Sequence, residues 1–141
     1  MRVIQTAILA LLAATFANAQ SNLPALRADI PFAFEMRGVT LTGGEYRIDF
    51  SENRSWITVK SMENARDSAL GVTFSVTLDK KTPGEAKLVF NKYGDRYFLS
   101  QIWHPAIARE LPKSKQEREL VTSRVVAQIP VRVVVAAKVM R

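Results

Sequence analysis

The strongest structural signal in the sequence is a pair of strand-like runs around a Gly-Asp turn. The first run is Leu88–Tyr93 (LVFNKY), the turn is Gly94-Asp95, and the second run is Arg96–Trp103 (RYFLSQIW). This pattern predicts a β-hairpin in which Tyr93 faces Arg96. In that register one face carries Leu88, Phe90, Tyr97, Leu99 and Trp103, and the other carries Val89, Tyr93, Phe98 and Ile102. Both faces are apolar enough to be covered, so we expect the hairpin at the centre of a sheet.

Other runs also read as strands, either because apolar and polar residues alternate with a period of two or because they follow a turn or are rich in β-branched and aromatic residues. They cover residues 30–36, 39–41, 46–50, 56–61, 70–78 and 129–139. For the last run a helix is the alternative. About eight short strands separated by turns predict a mainly β fold, either an antiparallel β-barrel or a two-sheet sandwich. Periodicity does not choose between the two.

One helix is expected late in the chain. Ser114-Lys115-Gln116-Glu117 matches a capping box, in which the Ser hydroxyl and the Glu carboxylate each satisfy a free backbone N–H. The pattern predicts a helix over residues 115–124, after the connector that ends at Pro112.

The N-terminus has the pattern of a secretory signal peptide. An apolar run from Ala7 to Phe16 leads to Ala17-Asn18-Ala19, the small-x-small motif of a cleavage site. We therefore expect residues 1–19 to be removed and residues 20–141 to form a single antiparallel β domain, exported to the periplasm or the cell exterior. No later stretch is long and apolar enough to cross a membrane as a helix.

The residue inventory argues against an enzyme. The chain has one His and no Cys, so a His- or Cys-based metal site, a thiol nucleophile and disulfides are not expected. No nucleophile elbow, phosphate loop or dinucleotide fingerprint is present. His104, at the end of a predicted strand, is interpreted as a surface or packing residue. We expect no catalytic residues and no cofactor.

A cluster of basic residues surrounds the predicted helix start. Arg109, Lys113, Lys115 and Arg118 gather there together with Ser114, where free N–H groups and the helix dipole attract anions. The five residues are a candidate anion-binding site. The alternative is a solvated charged surface, because Glu110, Glu117 and Glu119 offset the cations.

Aromatic residues recur at alternating positions and are expected mostly in the core. A few of them could instead line a barrel mouth for an apolar ligand or stack on sugar rings. The set is Phe32, Phe34, Tyr46, Trp56, Phe74, Phe90, Tyr97 and Trp103.

Two segments resemble small secreted proteins of unknown function from soil bacteria. The first is Ile30-Pro31-Phe32 with Phe34, followed by LTGGEYRI at residues 41–48; the second is LVFNKYGDRYFLSQIW at residues 88–103, followed by RELPKSK at residues 109–115. Thr42-Gly43 stands where that family often has Pro-Ala, and Val133-Val134-Val135 has no match there. The resemblance implies a secreted β domain and brings no reaction, cofactor or ligand with it.

The expected function is therefore binding. The chain carries a net charge of +7, which favours an acidic envelope polymer or a lipid headgroup over nucleic acid as partner; a small apolar ligand is a further candidate. The main alternative is a structural or surface-association protein that self-assembles through β edges, suggested by the long apolar C-terminal strand. An outer-membrane barrel and an enzyme are less favoured alternatives.

Overall fold

A computed structural model describes residues 23–76, 84–123 and 129–140. The predicted signal peptide at residues 1–19 lies outside these residues. The described residues form eleven strands and one helix. These are β1 (Leu26–Ile30), β2 (Phe34–Met36), β3 (Val39–Leu41), β4 (Gly44–Phe50), β5 (Trp56–Ser61), β6 (Ser68–Val72), β7 (Phe74–Ser75), β8 (Lys87–Tyr93), β9 (Arg96–Trp103), β10 (Ala108–Glu110), α1 (Lys115–Thr122) and β11 (Val131–Val139).

The strands form one sheet that curls almost into a closed barrel. From one edge the order is β6, β5, β4, β1, β11, β8 and β9. The outer edge of β9 then pairs with β2 near Phe98 and with β10 near Trp103. β10 pairs in turn with β7, which follows β6 after a single residue, Thr73. The sheet thus returns to the strand where it began, and we call the short β7–β10 pairing the seam.

The predicted class is confirmed as mainly β with one helix, but two details were wrong. The described residues contain eleven strands instead of about eight, because the predicted runs 30–36 and 70–78 are each divided between two strands and β10 lies in the segment predicted as a connector. The sheet is also mixed: β2 runs parallel to β9, with Glu35 opposite Phe98. Alternation along one strand carries no information on the direction of its neighbour, so the parallel pair had no signal in the sequence.

The barrel interior is filled with side chains from alternate positions of the strands. Phe34 packs edge-on against both Tyr46 and Phe90, and all three rings are buried. Small barrels of this kind leave their interiors occupied by their own residues. Around the rings lie further fully buried apolar residues: Leu26, Ile30, Leu41, Ile48, Ile57, Val59, Leu88 and Ile102.

The predicted hairpin is formed by β8 and β9, with Tyr93 opposite Arg96 and Gly94 at φ +58° in the turn. It is central in the sheet as expected, since β8 also pairs with β11 and β9 also pairs with β2 and β10. The predicted faces are wrong beyond the middle of the hairpin. Val89 pairs with Gln101 and the next residue pairs with Leu99, so Ser100 is an extra residue in β9. This β-bulge moves Ile102 into the core opposite Leu88.

Helix α1 begins at Lys115 as predicted and ends at Thr122; residue 124 lies outside the described residues. Ser114 is the N-cap, and its hydroxyl accepts a hydrogen bond from the Glu117 amide at 3.2 Å. The second half of the predicted capping box differs. The Glu117 carboxylate accepts a hydrogen bond from the Asn91 side chain instead, so it contributes to the packing of α1 on the outer face of β8.

The seam is held by one arginine. The Arg109 guanidinium donates to the Thr73 hydroxyl (3.0 Å), the Thr73 carbonyl (2.8 Å) and the Ser75 hydroxyl (2.7 Å). Beside it, the inward side of β6 is closely packed at Gly71. A Cβ at Gly71 would lie 2.8 Å from side-chain carbons of both Leu111 and Met36.

The final strand, β11, lies inside the sheet and not at its edge. It pairs with β8 from Val131 to Ala136 and with β1 from Ala137 to Val139. The predicted strand began two residues earlier, at Ile129, which has no partner strand. Within the described part of the chain, no helix is both long and apolar enough to cross a membrane.

Candidate functional site

A groove on the outer wall of the barrel, beside the seam, is the candidate site. It has a volume of about 340 Å³ and is lined by residues from five strands and the residues that flank them. The strand registers bring these segments together: Arg132 of β11 lies opposite Asn91 of β8, and Phe74 of β7 lies opposite Glu110 of β10. We call it the seam groove. Its lining is Phe74, Asn91, Ser100, Glu110, Leu111, Pro112, Lys113, Pro130 and Arg132.

The floor of the seam groove is polar and buried. Asn91 is only 6% exposed, and its Nδ2 donates to Glu117 Oε1 at 3.2 Å. Asn91 Oδ1 has no hydrogen-bond partner among the described residues. An amide oxygen left without a donor in a buried position costs free energy. Ser100, the extra residue of the bulge, lies beside it and is also buried.

A buried carboxyl group lies behind this floor. Glu117 is 3% exposed, and burial raises the pKa of its carboxyl group, while Asn91, Lys113 and Tyr93 act in the opposite direction. Burial, and then the neighbouring Glu117, raise the pKa of Tyr93. The Tyr93 hydroxyl is enclosed near the carboxylate without a hydrogen bond of ordinary geometry. The hydrogen bond to Glu117 holds the Asn91 amide in place and links helix α1 to the groove.

The walls of the seam groove are partly cationic and partly apolar. Lys113 and Arg132 supply positive charge, against a single acid, Glu110. Phe74 is 59% exposed, so its ring offers a flat apolar face. Cations bind carboxylate or phosphate, and a flat apolar face packs on a ring with C–H groups. This combination suits an acidic sugar.

The five predicted anion-site residues lie in three places: the seam groove, helix α1 and the seam. Lys113 lines the seam groove, and Ser114 caps α1. Lys115 and Arg118 are exposed on the helix. The three hydrogen bonds of Arg109 are directed to the seam, and burial, with the nearby Arg54, lowers its pKa. The helix-start site stays a prediction, and the groove shares only Lys113 with it.

Sequence reasoning did not single out four of the groove residues: Phe74 as a surface residue, Asn91, Ser100 and Arg132. Asn91 is an uncharged polar residue next to the apolar run Leu88–Phe90, and that was the one available signal. Trp56 was also expected mostly in the core but is 44% exposed, and Phe74 shares this correction.

Two other surface depressions each contain an ion pair and have no net positive charge, because Glu52 also lines the first, and Asp29 and Lys138 also line the second. The larger, about 570 Å³ at one end of the barrel, contains Arg47 and Asp49, which bond each other at 3.0 Å. The other, beside β1, contains the ion pair between Arg27 and Glu45. Charges that satisfy each other leave less for a ligand, so the seam groove is the better candidate.

The single histidine is a packing residue, as predicted. His104 is buried, its Nδ1 accepts from the Ala106 amide at 3.0 Å, and its ring packs edge-on against Phe50. Burial lowers the pKa of His104, while the backbone of Pro24 acts in the opposite direction. In the part of the chain that the structure describes, no three His, Asp or Glu residues are grouped as a metal site requires.

The fold and the groove define the class of protein: a small, nearly closed β-barrel with a candidate binding site on its outer wall. Comparison with known protein families, characterised proteins and solved structures finds no match. The resemblance to small secreted proteins therefore stays a prediction.

Proposed function

We propose that this chain is an exported, non-enzymatic binding protein of the periplasm or cell exterior, and that its seam groove binds an acidic glycan. The observation that carries the proposal is the placement of Lys113 and Arg132 beside the buried Asn91 amide in one groove. The two cations would bind a sugar carboxylate, and Phe74 would pack on the ring.

The filled interior supports a ligand outside the barrel. Phe34, Tyr46 and Phe90 occupy the space that a lumen ligand would need. A small apolar ligand inside the barrel is correspondingly less favoured than an acidic ligand on its wall.

The test is calorimetric titration of the purified protein with a galacturonate trimer, with the neutral galactose trimer as a reference. We expect binding of the acidic sugar that weakens with salt. The Lys113→Gln/Arg132→Gln variant should lose about tenfold in affinity, since two partly exposed ion pairs contribute about 1.4 kcal/mol together.

The matched control is Lys115→Gln/Arg118→Gln, which removes two charges from the exposed face of α1. It should bind as the parent does. A loss confined to this control pair would place the anion site at the helix start, and equal binding of acidic and neutral trimers would contradict the proposal.

Self-assembly through β edges is the second candidate function. Its original basis, the C-terminal strand, lies between β8 and β1 and is not an edge strand, although residues 131–136 pair only with β8 and residues 137–139 only with β1. The specific observation that still favours it is β6, which pairs only with β5 among the described strands and carries the exposed Leu70. Light scattering over a range of concentrations tests it, because a constant monomer mass contradicts assembly.

A further inference from the structure

An exposed apolar stripe runs along the outside of β6 and β7. Leu70, Val72 and Phe74 occupy alternate positions, and Trp56 of β5 lies directly opposite Val72. Leu70 is 56% exposed, Phe74 59% and Trp56 44%. We call these four residues the outer stripe.

The outward direction of the stripe follows from what lies on the other face. Gly71 and Thr73 are the alternating inward residues, and both are buried. Gly71 packs against Leu111 and Met36, and the Thr73 hydroxyl donates to the Arg54 carbonyl at 3.1 Å. The register therefore leaves the apolar side chains at 70, 72 and 74 in solvent. A continuous exposed apolar surface of this kind is typical of an interaction site.

The outer stripe is continuous with the seam groove because Phe74 belongs to both. A linear ligand that leaves the groove over Phe74 would next pass Val72 and Trp56. A cation lies on that path beyond Trp56, because Lys60 shares the outer face of β5 with Trp56.

We propose that the outer stripe extends the seam groove, so that the ligand is a long acidic polysaccharide chain and not a short sugar. The inference rests on the proposed function. Trp56 and Phe74 would pack on successive sugar rings, while Lys60 binds a carboxylate that projects from the chain. An anionic polymer is favoured because Lys113 and Arg132 in the groove and Lys60 beyond Trp56 place positive charge at both ends of the path.

The experiment compares chain lengths on the full protein. A galacturonate trimer and long polygalacturonate are titrated calorimetrically. The affinity is expressed per galacturonate unit, because a long chain offers many equivalent binding positions and would otherwise bind more tightly for statistical reasons alone. The parent should bind the long chain about tenfold more tightly per unit, an added 1.4 kcal/mol. Trp56→Ala should remove that gain and leave trimer binding unchanged, and Trp56→Tyr should keep most of it because the flat ring is retained.

Met62→Ala is the matched control, since Met62 is 46% exposed, like Trp56, but lies in the turn after β5. It should behave as the parent. Trimer binding without a Trp56-dependent gain would overturn this inference and leave the groove proposal intact, whereas no binding of either chain would overturn both. Trp56-dependent binding to vesicles of anionic phospholipid, or a Trp56-dependent dimer, in place of the polymer gain would assign the stripe to a membrane or to a second copy and overturn the inference.

Discussion

Replacement of Arg109 by Met should open the seam. Methionine keeps the apolar stem and removes the three donors that reach Thr73 and Ser75. The Thr73 hydroxyl still donates to the Arg54 carbonyl, and its amide still donates to Ser55. The principal loss is therefore the hydrogen bond from the Arg109 guanidinium to the Thr73 carbonyl. This carbonyl belongs to a buried residue, so it is left without a donor.

The expected cost is about 2–4 kcal/mol of unfolding free energy. A hydrogen bond from a charged donor contributes about 1.5–3 kcal/mol, and an unsatisfied buried acceptor costs about 1–3 kcal/mol. The three bonds share one half-buried side chain, so their contributions do not add fully. Arg54 lies close enough to lower the pKa of Arg109, and relief of this repulsion offsets part of the loss.

Urea denaturation measures this loss, with Arg47→Met as the matched control. Arg47 bonds Asp49 with its guanidinium at 3.0 Å but is about half exposed, so its removal should cost at most about 1 kcal/mol. Arg109→Lys should not restore the parent stability, because an ammonium group cannot bond three oxygens in the geometry of the guanidinium fork.

Hydrogen exchange gives a local readout of the same change. The Val76 amide donates to the Ala108 carbonyl at 3.1 Å across the seam, and its exchange should accelerate in Arg109→Met more than that of the β8–β9 amides. Equal stability losses in Arg109→Met and Arg47→Met, with unchanged Val76 exchange, would refute the role assigned to Arg109.

Two further predictions concern the packing around the seam groove. Gly71→Ala should lower the unfolding free energy by about 1–3 kcal/mol, because the new methyl group would overlap Leu111 and Met36 at 2.8 Å. A variant whose melting temperature equals that of the parent would contradict this. Burial raises the pKa of the Glu117 carboxyl group above its ordinary value of 4.5, so the folded protein holds this proton more tightly than the unfolded chain does. The contribution of this group to the free energy of unfolding is therefore greatest at low pH and falls as the pH rises from about 4.5 through the raised pKa. Glu117→Gln should therefore melt higher than the parent at neutral pH and lose this pH dependence, whereas parallel melting profiles from pH 4 to pH 8 would show that the carboxyl group is not perturbed.

The sequence by itself determined the local elements. The β8–β9 hairpin with Tyr93 opposite Arg96 and the start of α1 after the Ser114 cap were predicted and confirmed. Both depend on residues a few positions apart, because turn chemistry and N-capping are satisfied within the segment itself.

Only the tertiary structure decided which face each residue presents. The bulge at Ser100 moved Ile102 into the core, and no residue type around it requires a bulge. Trp56 and Phe74 have the alternation of core residues, yet Gly71 and Thr73 occupy the inward positions of the neighbouring strand and leave the two rings in solvent. A period of two identifies two faces but does not say which one is covered.

The seam and its groove have the same origin. Arg109 meets Thr73 across 36 positions of the chain, and Arg132 meets Asn91 through the β8–β11 register. Such pairings depend on how the whole sheet curls and closes, since each strand could pair with several others at similar free energy when considered alone. Local pattern therefore determined that strands and a helix form, and barrel closure determined where Asn91, Lys113, Arg132 and Phe74 come together.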